Sequence, residues 1–198
     1  MKKILQANQK QKPARRASQG DAGGEKVLRK TAEEVRVRDI KTIKIKKILK
    51  EMSQALKSQA DGVAIAAPQI GYKLRIFVVS GKIFAKDFEK RPPRPPATPP
   101  SQGEKNLKDL VFINPKISKL SREKEWMPEG CLSVRWLYGN TFRSKKATIT
   151  AYGENGKKFT RGASGLLAQI FQHETEHLNG RLFIDHAKDI REELPPVK

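Results

Sequence analysis

The stretch from 164 to 180, SGLLAQIFQHETEHLNG, constrains this chain more than any other. Its apolar spacing predicts a helix whose first turns are buried, and Asn179 and Gly180 are residue types at which helices stop. Positions four apart lie one turn apart on the same face, so His173 and His177 can approach one metal ion from the same side. Glu174 then projects beside the ion and not onto it. A carboxylate so placed can take a proton from water and later deliver it to a leaving group. The plain alternative is a pair of solvated helix histidines, which the apolar run before them argues against.

Two imidazoles leave such a site incomplete. In metzincin-type proteases a third histidine follows in H-E-x-x-H-x-x-G-x-x-H; Gly180 fits that pattern, but Phe183 stands at the ligand position and cannot coordinate. His186 lies three residues too far on and reads as a structural or surface histidine. Glu192 and Glu193 fall in a charged, proline-ended tail that is not expected to fold back. Cys131 remains, in EGCLS, where Gly130 permits close backbone approach and a nearby metal would favour the thiolate. One sulfur and two imidazoles leave a fourth tetrahedral position for water, the pattern of a catalytic site. A lone cysteine is ordinarily a small buried hydrophobe, and only its combination with His173 and His177 reverses that preference.

With GVAIAAPQ, EGCLS and QHETEH in this order, supported by VLRKTAEEV and FINPKI, the chain resembles the peptide deformylases over roughly residues 25 to 190. The resemblance implies an α+β fold in which antiparallel strands pack around a central C-terminal helix carrying HExxH. It implies removal of the N-formyl group from the N-terminal methionine of new polypeptides. Cys131, His173 and His177 would then be metal ligands and Glu174 the general base and acid. The side-chain amide of Gln69 and the backbone N–H of Leu132 would steady the oxyanion, at about 3 kcal/mol per donor. Fe2+ is the expected ion, with Zn2+, Ni2+ or Co2+ as substitutes, because this donor set suits all four. Gly62, Val63 and Ala64 would hold the peptide in strand-like pairing, and Val63, Leu166 and Ile170 would line the methionine pocket. Core packing is the ordinary reading of Leu166 and Ile170. Departures from the family pattern fall at Ala64 and Ile65, usually Gly and Leu, and at VRWLYGNTFR, with Arg135, Trp136 and Tyr138. Gln169 is polar where an apolar pocket wall is expected, and Arg143 stands where the family has an arginine.

Elsewhere, Ile40, Ile43, Ile48, Met52 and Leu56 recur at helical spacing and predict an amphipathic surface helix over 40 to 58. RIFVVS reads as a buried strand, DGVAIAAPQIGY as a loop or irregular edge strand, LVFINPKI and ATITAYG as strands, and GENGKK as a hairpin turn. The expected organisation is a flexible basic tail (1–24), a catalytic domain (25–190) with a proline-rich insert at about 91–105, and a short C-terminal tail (191–198). The basic tail loosely resembles an organelle transit peptide, but its large aliphatics are confined to Ile4 and Leu5.

Lysine and arginine number 41 against 21 acidic residues, a net charge of +20 that would attract polyanions. Deformylases meet their substrate as it leaves the ribosome, so a basic surface would favour contact with ribosomal RNA, with solvated lysines as the ordinary reading. A single cysteine rules out an internal disulfide and fits a reducing compartment. No stretch is apolar enough for a membrane span, so a cytoplasmic protein is expected, with an organelle matrix as second choice. Two other functions fit parts of the pattern. A zincin-type protease would cleave internal peptide bonds without needing Cys131. A basic RNA-binding protein on an inactive scaffold would bind RNA in a salt-sensitive way without binding metal.

Overall fold

The computed structural model describes residues 2–7, 22–85 and 107–194. Within these lie three α-helices, α1 (Ala22–Leu28), α2 (Ile43–Lys57) and α3 (Gly165–Leu178). The strands are β1 (Ala64–Ala66), β2 (Ile76–Val79), β3 (Leu110–Leu120), β4 (Lys124–Gly130), β5 (Leu137–Ser144), β6 (Lys146–Tyr152), β7 (Lys158–Ser164) and β8 (Lys188–Glu192). They form two antiparallel sheets, one in the order β1-β2-β3-β6-β7 and one in the order β4-β5-β8. The mixed α/β architecture, with antiparallel sheets and a C-terminal helix, is as expected.

Strand β2 shows how the layers are held. Ile76 to Val79 are fully buried because both faces of the larger sheet are covered. The two-residue alternation sends Ile76 and Val78 toward Ile48, Met52 and Leu56 of α2, and Phe77 and Val79 toward Ile170 and Phe171 of α3. Phe77 stacks on Phe112 at 4.5 Å, and Phe171 meets Phe112 edge-on at 5.2 Å, which anchors α3 to the sheet.

Helix α2 starts at a Thr42 cap whose hydroxyl oxygen accepts from the Ile45 N–H at 3.4 Å. That start sets the phase: Ile45, Ile48, Leu49, Met52 and Leu56 are buried. Ile43, counted on the apolar face from spacing alone, is 86% exposed, and Ile40 is buried ahead of the helix. Pro115 is tolerated within β3 because the pairing with β6 slips between Ile113 and Lys116. Beside it, Asn114 adopts φ 51 and its side-chain amide bonds the Val35 N–H and C=O at 2.8 and 2.7 Å. The small-residue segment is a three-residue edge strand, β1, running into a 3-10 turn over Ala67–Ile70.

The chain ends are more engaged than the sequence suggests. The proline-rich insert and positions 8–21 of the basic tail lie outside the described residues. Residues 2–7 are docked: the Leu5 N–H donates to the Gln69 carbonyl at 2.6 Å and the Ala7 N–H to the Ser133 carbonyl at 2.8 Å. At the other end Arg191 and Glu192 pair with β5, and the Glu193 N–H donates to the Trp136 carbonyl at 2.8 Å. No helix among the described residues is long and apolar enough to cross a membrane.

Helix α3 ends at Asn179, and Gly180 follows with φ 72. A β-carbon at Gly180 would sit 2.5 Å from the Arg29 carbonyl oxygen, because the strand-like segment after α1 runs alongside. Gly180→Ala is expected to cost at least about 2 kcal/mol, through left-handed strain and this backbone clash. Urea unfolding checks it: the midpoint should fall with an unchanged slope.

Candidate metal centre

The three proposed ligands come from two elements. Helix α3 presents His173 and His177 one turn apart, with ring centroids 4.8 Å apart, and Cys131 follows directly on β4. Cys131 Sγ lies 3.1 Å from His177 Nε2, which lies 3.1 Å from His173 Nε2, and all three atoms fall within 4.8 Å of one another. Edges of a tetrahedron with bonds of about 2.0–2.3 Å measure roughly 3.3–3.8 Å; the two 3.1 Å separations lie just below that range, so a small side-chain adjustment would bring these donors, whose chemistry suits a divalent ion, around one centre. Gly130 makes the approach of Cys131 feasible, since a β-carbon there would meet the Tyr138 ring at 2.7 Å. Burial pushes the His177 pKa well below its usual value, with His173 adding to the effect, so the ring is held in the neutral, metal-binding form.

Beneath these three residues runs a buried charge network that no sequence motif marks. Glu129, two residues before Cys131 and therefore on the same side of the strand, lies 2.6 Å from His173 Nδ1. Accepting a proton there leaves Nε2 of His173, 3.1 Å from His177 Nε2, as the nitrogen available to a metal. Glu129 also accepts from Thr141 Oγ1 at 2.7 Å and from Arg143 Nε and Nη2 at 3.0 and 2.8 Å. Burial opposes its ionisation, but His173 and Arg143 hold the carboxyl well below the usual range. Arg143 continues to Glu176 at 2.5 and 2.7 Å. Gln169, unexplained by the sequence, donates its amide to the Pro128 carbonyl at 2.9 Å and to Glu129 at 3.3 Å, tying α3 to β4. The signal was present in EGCLS itself, where a carboxylate stands one strand period from the thiol.

Arg143→Met is expected to destabilise the protein by about 3 kcal/mol, because it takes the guanidinium away from two carboxylates at once, Glu129 being almost fully buried. Thermal unfolding of the variant checks this. A melting temperature equal to that of the parent would mean that the network carries no net stability.

Glu174 is 3% exposed, and its Oε2 finds no hydrogen-bond partner among the described residues. Burial pushes its carboxyl up to about 7. Gln69 is 1% exposed. Its Oε1 accepts from the Ala66 N–H at 2.8 Å, while its amide nitrogen donates to Ser133 Oγ at 3.1 Å and lies 3.7 Å from Cys131 Sγ. Leu132 is buried, and its carbonyl accepts from the Gln6 side chain at 2.9 Å. Gly62 sits against Leu56 and Leu132, Val63 packs partly buried on the α3 side, and Ala64 lies in β1 without a positive φ. Ile170 is in the core at 4% exposure, whereas Leu166 is 37% exposed. Phe183 packs fully buried with its ring 6.4 Å from that of His173, and His186 lies outside the cluster, 3.7 Å from Glu176.

Such a scaffold and donor set define a mixed α/β protein with a candidate mononuclear metal centre beside a buried carboxylate. The family model for polypeptide deformylases matches residues 22–193, and the chain belongs to that family, hydrolases that remove the formyl group from the N-terminal methionine of nascent peptides. The peptide deformylase of Borreliella burgdorferi is 39% identical over 157 residues, covering 78% of this chain and 81% of that protein. Peptide deformylase 1A, chloroplastic/mitochondrial, of Arabidopsis thaliana is 35% identical over 164 residues, covering 83% of this chain, which spans 59% of the length of that relative. A peptide deformylase structure from Legionella pneumophila is similar at a TM-score of 0.70 and 28% identity, covering 96% of this chain and 87% of that one.

Proposed function

We propose that this chain deformylates N-formylmethionyl peptides at the Cys131, His173 and His177 centre. The observation that carries the proposal is the convergence of a sulfur with two ring nitrogens distant from it in sequence, all within 4.8 Å. These residues would hold one divalent ion, with Fe2+ expected and Zn2+, Ni2+ or Co2+ as substitutes, and the ion would supply Lewis acidity toward water and the formyl oxygen. Glu174 takes the proton from water and returns it to the departing amine; its raised pKa suits both directions near neutrality. The Gln69 amide and the Leu132 N–H steady negative charge on the formyl oxygen.

The substrate backbone pairs with the outer edge of β1, along Gly62, Val63 and Ala64, since β1 stands at the end of its sheet. The methionine side chain lies near Val63, Leu166 and Ile170, with Leu166 the accessible member. The formyl carbon is small and reaches the site, whereas an internal peptide carbonyl is flanked by bulk. Residues 25–190 form the catalytic domain, and the need for a free thiol suits a reducing compartment such as the cytoplasm. A positive surface brings the enzyme to ribosomal RNA, where nascent chains emerge. The test is turnover of formyl-Met-Ala-Ser by protein loaded with iron under nitrogen. Release of formate supports the proposal; cleavage of internal peptide bonds instead would replace it with a zincin protease.

A further inference from the structure

We propose that the outer face of the three-stranded sheet binds single-stranded RNA by stacking bases on Trp126 and Phe142. On β4 the side chains of Met127 and Glu129 are buried toward the interior, so the alternate positions Trp126 and Pro128 point outward. Trp126 pairs in register with Phe142 of β5, which places the two rings side by side with centroids 5.2 Å apart. They are 47% and 50% exposed, an arrangement that does little for the core and leaves two aromatic surfaces to solvent.

Cations flank the pair. Lys124 Nζ lies 5.8 Å from the Phe142 ring centroid and Lys188 Nζ 4.8 Å from that of Trp126. The acidic neighbours are engaged elsewhere: Glu125 lies 3.5 Å from Lys145, and Asp189 accepts from Asn140 at 3.2 Å. Flat rings between lysines match a polymer that alternates bases with phosphates, and the chain's +20 charge draws such a polymer in. An acidic peptide would use the lysines but leave the rings unstacked. The choice of RNA over single-stranded DNA rests on the deformylase reading, because nascent peptides emerge beside RNA.

Two readouts test the face on the full chain. In Trp136→Phe protein Trp126 is the one remaining tryptophan, and a short oligouridylate should quench its fluorescence. The Trp126→Ala/Phe142→Ala variant should bind the same oligomer about tenfold or more weakly at fixed salt, while Lys46→Gln/Lys50→Gln on α2 should cost about threefold or less. Unchanged turnover of formyl-Met-Ala-Ser by the aromatic variant shows that it is folded and keeps this inference separate from the catalytic one. Absence of quenching, equal weakening by the α2 substitutions, equal binding and quenching by oligoglutamate, or tighter binding of oligothymidylate would each overturn it.

Discussion

Cys131→Ser is expected to leave anaerobic purification depleted of metal and to turn over formyl-Met-Ala-Ser at least about 100-fold more slowly than the parent. A serine hydroxyl has nearly the volume of a thiol, so the fold should survive, but it does not ionise near neutral pH and is a poor ligand for ions that favour sulfur. Two imidazoles 3.1 Å apart at Nε2 would remain, without the third donor that lies 3.1 Å from His177. Metal content by elemental analysis and formate release are read on the same preparation. Retention of both would show that the histidines act without the sulfur, the behaviour of a zincin.

The second large effect should separate metal binding from proton transfer. Glu174→Gln is expected to keep its metal and lose about 100- to 10,000-fold in kcat, the usual worth of a positioned acid and base. Glutamine copies the shape of the carboxyl but cannot take a proton. Because burial already pushes the Glu174 carboxyl up to about 7, and its Oε2 has no partner among the described residues, the neutral amide should cost no stability. An unaltered kcat would remove Glu174 from the proton path, whereas a loss of metal would recast it as a ligand.

Much of the site was legible because its information is local. The helix at 165–178 follows from apolar spacing, and its end follows from Asn179 and Gly180. The i, i+4 histidines needed only the helical repeat to share a face. Cys131 could be reached by exclusion, since Phe183 carries no ligand atom. Other features depended on contacts made far along the chain. Ile43 has the right spacing to be buried but falls just inside the Thr42 cap, so helix phase turns it outward. The polar strands β4 and β8 carry little alternation strong enough to detect, and their pairing with β5 places Lys188 to Glu192 in a sheet. Gln169 looked misplaced until Pro128 and Glu129 stood opposite it.

By itself the sequence determined which residues carry donor atoms, which segment is helical, and that both imidazoles lie on one side of it, because these depend on side-chain chemistry and a fixed backbone repeat. Tertiary structure alone decided that the thiol meets them and that Glu129 orients His173 while Arg143 bridges it to Glu176. It also decided that residues 2–7 dock beside Gln69. Those contacts join positions tens of residues apart, and their geometry is set by how the helix and the two sheets pack, a long-range property that no local spacing records.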